Sequence, residues 1–518
     1  MQKDLKPVYE FIKENGVLNI ISNKDQLLEN QFREINEKDF NICLFLVAID
    51  TKDFKSLTVL KTNGINGTEA KSCNFKKNNN EEIDKLNINN VDDNTYFNPL
   101  GMACYVDNEE IVKYLIDSGA DVNKENKEGE IPLFYACNIG SENIVKILIE
   151  NGTDVNKEDK QKFTSLFHAC LSGNVKIVQY LIENGADVNK ENESEETPLL
   201  YACNEGREEL VKLLVENGAL INKEFSWGTP LFYSCSKGLE GIVKYLIDKG
   251  ADINGKNKDR ETPLFSVCKN LKENIIKLLV EHGAEVNVEN KDGDTPLLIL
   301  CRQGNESMVK YLVERGANVN KENKYGVTPL NISIKNKYDR IVNYLIEKGV
   351  NVNKENQYGY TPLFNAYTSG NETIVKILVE HGADVNEENK YGQTPLIGSS
   401  RAGQEKIVQY LIENGAIVDK ENKYGQTALI SACCEGQERI VEILVEKGAD
   451  TNKENEYGFT PLIGACIDGN ERIVKFLIDK GADVNKENKN GETPLFEAGE
   501  YGRENIIKIL MEHGAKHK

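Results

Sequence analysis

The chain has 518 residues, 39% of them apolar, and its 63 basic and 83 acidic side chains leave a net charge of −20. That apolar share is enough for a continuous core, whereas the negative charge argues against a general binder of nucleic acid or of anionic membranes. The apolar run Cys43 to Ile49, with Ile42 before it, is far too short to cross a bilayer, and the first residues, Met1-Gln2-Lys3-Asp4, carry no apolar leader. A cytoplasmic or nuclear protein without membrane insertion is therefore expected.

Residues 1–40 hold a helix-like pattern around Tyr9 to Ile12 and read either as a worn structural unit or as a separate partner segment. Residues 41–64 keep the spacing of the units that follow. Ala48 lies sixteen residues before Gly64, as Ala136 does before Gly152, and this segment reads as a degenerate capping unit. Residues 65–97 are rich in Asn, Lys and Asp, including Asn78-Asn79-Asn80, and cannot bury a core, so a mobile loop is expected there.

From residue 98 to 514 a 33-residue period takes over. Thr-Pro-Leu opens units at Thr197, Thr229, Thr262, Thr295, Thr328, Thr361, Thr394, Thr460 and Thr493, with variants at Asn98, Ile131, Thr164 and Thr427. Of the twelve intervals eleven are 33 residues, and one, from Thr197 to Thr229, is 32. Within a unit, Thr394 suits a helix N-cap and Pro395 the first helical position, where its missing N–H had no partner anyway. A short helix should end near Gly403. A second helix carries Ile407, Val408, Leu411 and Ile412 on one stripe and stops at Gly415. The polar stretch from Ala416 to Gly425 then projects as a finger. No such unit can bury its apolar face alone, so the units must stack.

The recurring Thr-Pro-Leu-x-x-Ala-Cys, Ile-Val-Lys-x-Leu-Ile-Glu-x-Gly-Ala-Asp-Val-Asn and x-x-Gly-x-Thr resemble the ankyrin repeat in thirteen consecutive copies, followed by a tail at residues 515–518. The resemblance implies an all-α solenoid of stacked helix-turn-helix units with projecting β-hairpin fingers, and a non-enzymatic role in binding protein partners. One departure is consistent. The His that commonly follows Thr-Pro-Leu is replaced by Phe134, Phe167, Leu200, Phe232, Phe265 and equivalents, so an apolar contact should replace its hydrogen bond.

Other chemistries find little support. Of twelve cysteines, nine occupy one repeat position, from Cys104 to Cys466. Equivalent helices stack roughly 8–10 Å apart, beyond the ~6.8 Å limit for disulfide-bonded Cα atoms, so these should be buried free thiols. His282, His381 and His513 precede the glycine that ends a second helix, where a cation favours the helix C-terminus. No phosphate-binding loop, His-Glu-x-x-His or nucleophile elbow is present. No catalytic residue, metal ligand or cofactor is expected, and the chain reads as no enzyme.

By the resemblance, partners are gripped by the finger tips and by the exposed side of the first helix, chiefly three and one residues before Thr and seven and eight after it. At the latter positions the residues run from apolar (Tyr105, Val106, Ile139, Leu171) through basic (Lys237, Lys269, Arg302, Lys335, Arg401) to acidic (Glu435, Asp468, Glu500). Tyr325, Tyr358, Tyr391, Tyr424 and Tyr457 recur at finger tips, and Trp227, the sole Trp, lies in the shortened finger. Trp227 is read either as an exposed anchor or as a plug. Lys162, Glu195 and Arg260 stand where the finger glycine belongs, which either strains or changes the turn.

The expected function is a protein-interaction scaffold whose concave face takes a partner, with the basic stripe suited to an acidic peptide or loop. The alternative is a targeting adaptor, for a ubiquitin ligase for example, in which residues 1–97 recruit machinery and the array selects clients. A monomer is expected, with the last helix, Ile506 to Glu512, as the place where self-association would occur.

Overall fold

The computed structural model describes residues 6–15, 98–356 and 359–516. The expected capping unit at 41–64 and the loop at 65–97 lie outside the described residues, as does Tyr358; of residues 1–40, a helix at Lys6–Asn15 is described. The chain divides into two compact units, Met1–Lys258 and Asp259–Lys518. The first holds five described helix pairs, Pro99–Tyr105 to Glu240–Asp248, and the second holds eight, Pro263–Lys269 to Glu504–Glu512. Within each unit first helices pack on first helices and second on second, the arrangement of an all-α solenoid.

The repeat at Thr295 shows why the sequence adopts this form. Thr295 is extended at φ −105°, ψ 161°, and its Oγ1 accepts the Leu298 N–H at 3.2 Å, so the helix Pro296–Gln303 starts with one orphan donor satisfied. Gly304 ends it with the left-handed φ of 78°. Asn305 caps the second helix, Glu306–Glu314, by accepting the Met308 N–H at 2.9 Å. That helix closes in a Schellman motif, with Gly316 N–H on the Val313 carbonyl and Ala317 N–H on the Leu312 carbonyl. Leu297, Leu298, Leu300 and Cys301 from the first helix and Met308, Val309 and Leu312 from the second are buried. In the second unit one apolar core runs on from Leu330 to Ala515. Phe134, Phe167, Phe232 and Phe265 are buried where the family's His would stand.

The fingers are not β-hairpins among the described residues; they contain turns and one isolated bridge, Phe225 to Gly228. The reason is local. In the Thr328 finger, Asn323 Oδ1 accepts the N–H groups of Tyr325 and Val327, both at 2.9 Å, while Asn323 N–H bonds the Val327 carbonyl. One backbone pair closed around an Asx side chain leaves no length for a ladder.

Among the described residues six other than glycine hold a positive φ: Asp107, Lys162, Glu195, Arg260, Leu271 and Lys337, between 52° and 62°. Lys162, Glu195 and Arg260 thus keep the glycine turn and carry its strain, about 1–2 kcal/mol each.

Candidate functional site

Each described repeat presents a face built from its first helix and the base of its finger. The scaffold beneath is closed by two ladders. Asn156 receives the Asp187 N–H at 2.8 Å and donates to the Gly185 carbonyl at 2.8 Å, tying its finger to the end of the next second helix. Asn189, Asn386, Asn452 and Asn485 repeat the pattern. One residue on, lysines reach back to the previous repeat: Lys190 to Glu158 at 2.7 Å, Lys321 to Glu289 at 2.7 Å, Lys453 to Glu421 at 2.6 Å. At Glu387 the second ladder breaks, and burial with Asp384 and Glu355 nearby pushes that carboxyl up.

The basic stripe divides by chemistry once the side chains are in place. Lys269 Nζ lies 2.5 Å from Glu261 Oε1 and over the Phe265 ring, and Arg302 Nη1 lies 3.1 Å from Asp294 Oδ2. The two acids stand one residue before Thr and their side chains are only 10% exposed. Lys269 and Arg302 are therefore half-neutralised by their own repeats. Lys335 is different. Its repeat has Val327 at the acid's position, and it is exposed with no ion pair among the described residues, as is Lys237 in the first unit. Arg401 lies 3.6 Å from Glu435.

Trp227 is 68% exposed and so does not plug its finger; Phe225 turns inward instead, and Gly228 packs at φ 125° against Phe232. Tyr325 is 64% exposed, and Tyr391, Tyr424 and Tyr457 also project. Adjacent finger tips are joined at these tyrosines: Lys423 N–H bonds the Tyr391 carbonyl at 3.1 Å, Glu456 N–H the Tyr424 carbonyl at 3.0 Å, and Lys489 N–H the Tyr457 carbonyl at 3.0 Å. The rings therefore share one register. Lys390 stands 5.0 Å over the Tyr391 ring.

The nine aligned cysteines and four of the histidines take structural roles. The nine aligned cysteines are buried free thiols, and burial pushes Cys203 and Cys301 up to about 12. His282, His381 and His513 each bond the carbonyl four residues back through Nδ1 at 2.8 Å, as Asn184 does through its amide. His168 stacks on Phe134 at 4.9 Å, and burial lowers its pKa to about 4, leaving it neutral. Among the described residues no helix is long and apolar enough to cross a membrane.

Comparison with known families agrees with this geometry. The model for ankyrin repeats (3 copies) matches residues 36–159, 100–192, 166–257, 231–323, 315–389, 383–455 and 449–518. The chain belongs to the ankyrin-repeat family, whose members are generally protein–protein interaction modules and typically not enzymes. Among solved structures it is similar to the human ASB11 ankyrin repeat domain, at 26% identity over 43% of this chain and 100% of that one, with a TM-score of 0.40. Comparison with curated proteins gives no match.

Proposed function

We propose that this chain is a non-enzymatic scaffold that holds partner proteins against the inner face of its repeats. The observation that carries the reading is a division of labour. Caps, Asn and Lys–Glu ladders and core consume the recurring residues, while the positions seven and eight after Thr, the buried Val106 apart, are mostly exposed and change chemistry from repeat to repeat, and finger tips present exposed rings. A surface that varies on a constant frame suits recognition. In the second unit, Lys335 with the Tyr391, Tyr424 and Tyr457 edge suits an acidic peptide or loop. Such a ligand must share Lys269 and Arg302 with Glu261 and Asp294. In the first unit, Trp227 and Lys237 supply an exposed aromatic and a cation. The buried free thiols fit a reducing, cytoplasmic compartment.

Lys335→Glu is the clean test, because it reverses an unpaired charge and leaves the ion pairs at Lys269 and Arg302 intact. Pull-downs should lose an acidic partner and its salt dependence together. An undiminished partner set at every salt concentration places the site elsewhere.

A further inference from the structure

The finger-tip tyrosines are surplus to the frame. Three residues before Thr, Tyr391, Tyr424 and Tyr457 each give a backbone carbonyl to the next finger, at 3.1, 3.0 and 3.0 Å. Other fingers make the same bond without a ring at that position: Glu128 accepts the Lys160 N–H at 2.9 Å, Gln161 the Glu193 N–H at 3.0 Å, and Asp259 the Lys291 N–H at 2.9 Å. The carbonyl joins the tips whatever side chain stands there. Yet three successive fingers carry rings that are 44%, 47% and 57% exposed, and aligned exposed rings mark a place where something binds.

The joined tips also set a spacing. Each bond runs from a tyrosine carbonyl to the residue just before the next tyrosine, so covalent geometry holds successive tyrosine Cα atoms within about 10 Å. A ligand that meets all three rings must repeat at that distance. A polyproline II helix does, returning to the same edge every three residues, about 9.3 Å. A β-strand returns to one face after about 6.7 Å. An α-helix returns after seven residues, about 10.5 Å, but spends its carbonyls on its own hydrogen bonds. The polyproline II backbone leaves its carbonyls free, and the tips supply donors in the tyrosine hydroxyls and in neighbouring cations. Four residues before Thr, the fingers from Thr394 to Thr493 carry Lys390, Lys423, Glu456 and Lys489, all exposed. Three cations to one acid favour a ligand with negative charge.

We propose that Tyr391, Tyr424 and Tyr457 dock a proline-rich, acidic segment of a partner protein in the polyproline II conformation, one proline against each ring. The inference rests on the scaffold reading and names the partner chemistry of its tyrosine edge. A segment already extended in this form loses little conformational entropy on binding, and the fixed register of the tips spares the rings the same cost.

The test is fluorescence anisotropy on the full chain with a labelled peptide of four Pro-Pro-Glu triplets, beside one of four Gly-Gly-Glu triplets that keeps the charge and loses the polyproline conformation. The proline peptide should bind and the glycine peptide should bind poorly. Tyr424→Ala leaves the carbonyl that holds the Glu456 N–H and should fold; it should weaken the proline peptide about three- to tenfold, and Tyr424→Phe, which keeps the ring, should lose less. Tyr501→Ala removes a ring that is 54% exposed but stands at the end of the helix Pro494–Glu500 and not on a finger tip, and it should alter binding by less than about twofold. Equal binding of the two peptides, equal loss in Tyr501→Ala and Tyr424→Ala, or no binding of the proline peptide to the native chain overturns the proposal. Because no natural partner is used, that failure leaves the scaffold reading to its own pull-down test.

Discussion

Replacing Asp419 with asparagine should stabilise the array. Asp419 stands in the Asn ladder, where its neighbours Asn386 and Asn452 each accept one N–H and donate to a glycine carbonyl, of Gly415 and Gly481, at 3.0 Å. Asp419 accepts the Asp450 N–H at 3.1 and 3.2 Å, but a carboxylate has nothing to donate to the Gly448 carbonyl. Restoring that donor adds one hydrogen bond, worth about 0.5–1.5 kcal/mol net. Burial, with the Asp450 charge adding to it against the Asp450 N–H bond, holds the Asp419 pKa above its usual value near 3.8. A raised carboxyl costs stability once ionised. The cost therefore begins as pH rises past 3.8 and is complete above the folded pKa. The gain from Asp419→Asn should be full at pH 7 and shrink on acidification toward pH 4. Because a stacked array need not unfold in two states, the assay is hydrogen exchange of the amides from Asp419 to Asp450 under native conditions, wild type against variant. Slower exchange at pH 7, by a factor of about 2–10 for amides that open with this rung, supports the ladder. Unchanged or faster exchange there refutes it.

Two further outcomes follow from the same frame. Leu271→Gly relieves a left-handed leucine at φ 52° and should stabilise by up to about 1 kcal/mol after the entropic cost of glycine is subtracted; a loss of local protection would mean that the exposed Leu271 side chain makes a contact that matters more. The stretch from Thr164 to Arg260 should open before the block from Thr295 to Asn488, since it holds Glu195 and Arg260 in strained turns, with Lys162 just before it, whereas the block holds one such residue, Lys337. Equal hydrogen-exchange protection in the two stretches contradicts this.

Much of the fold was legible because its causes are local. Thr before Pro, an apolar stripe and a terminal Gly each specify a cap, a buried face or a stop within one repeat. The ladders were not legible, because Asn156 and Lys190 look like polar turn residues until the next repeat supplies Gly185 and the previous one Glu158. The pairing of Lys269 with Glu261 was missed for a related reason: eight residues apart, the two sit on a helix and a finger base, a spacing that no regular element gives. The same contact turned an apparently open cationic row into a mixture of paired and free charges. Trp227 could not be placed from sequence, since either Phe225 or Trp227 could have filled the shortened finger; the structure turns Phe225 inward.

The central claim is that partners lie on the inner face, and amine crosslinking with mass spectrometry of the full chain captured with its partners tests it most directly. Partner crosslinks should concentrate on the inner-face and finger-tip lysines Lys237, Lys335 and Lys423. Crosslinks concentrated instead on second-helix lysines such as Lys176, Lys212 and Lys406 would put the partner on the opposite side and contradict the account.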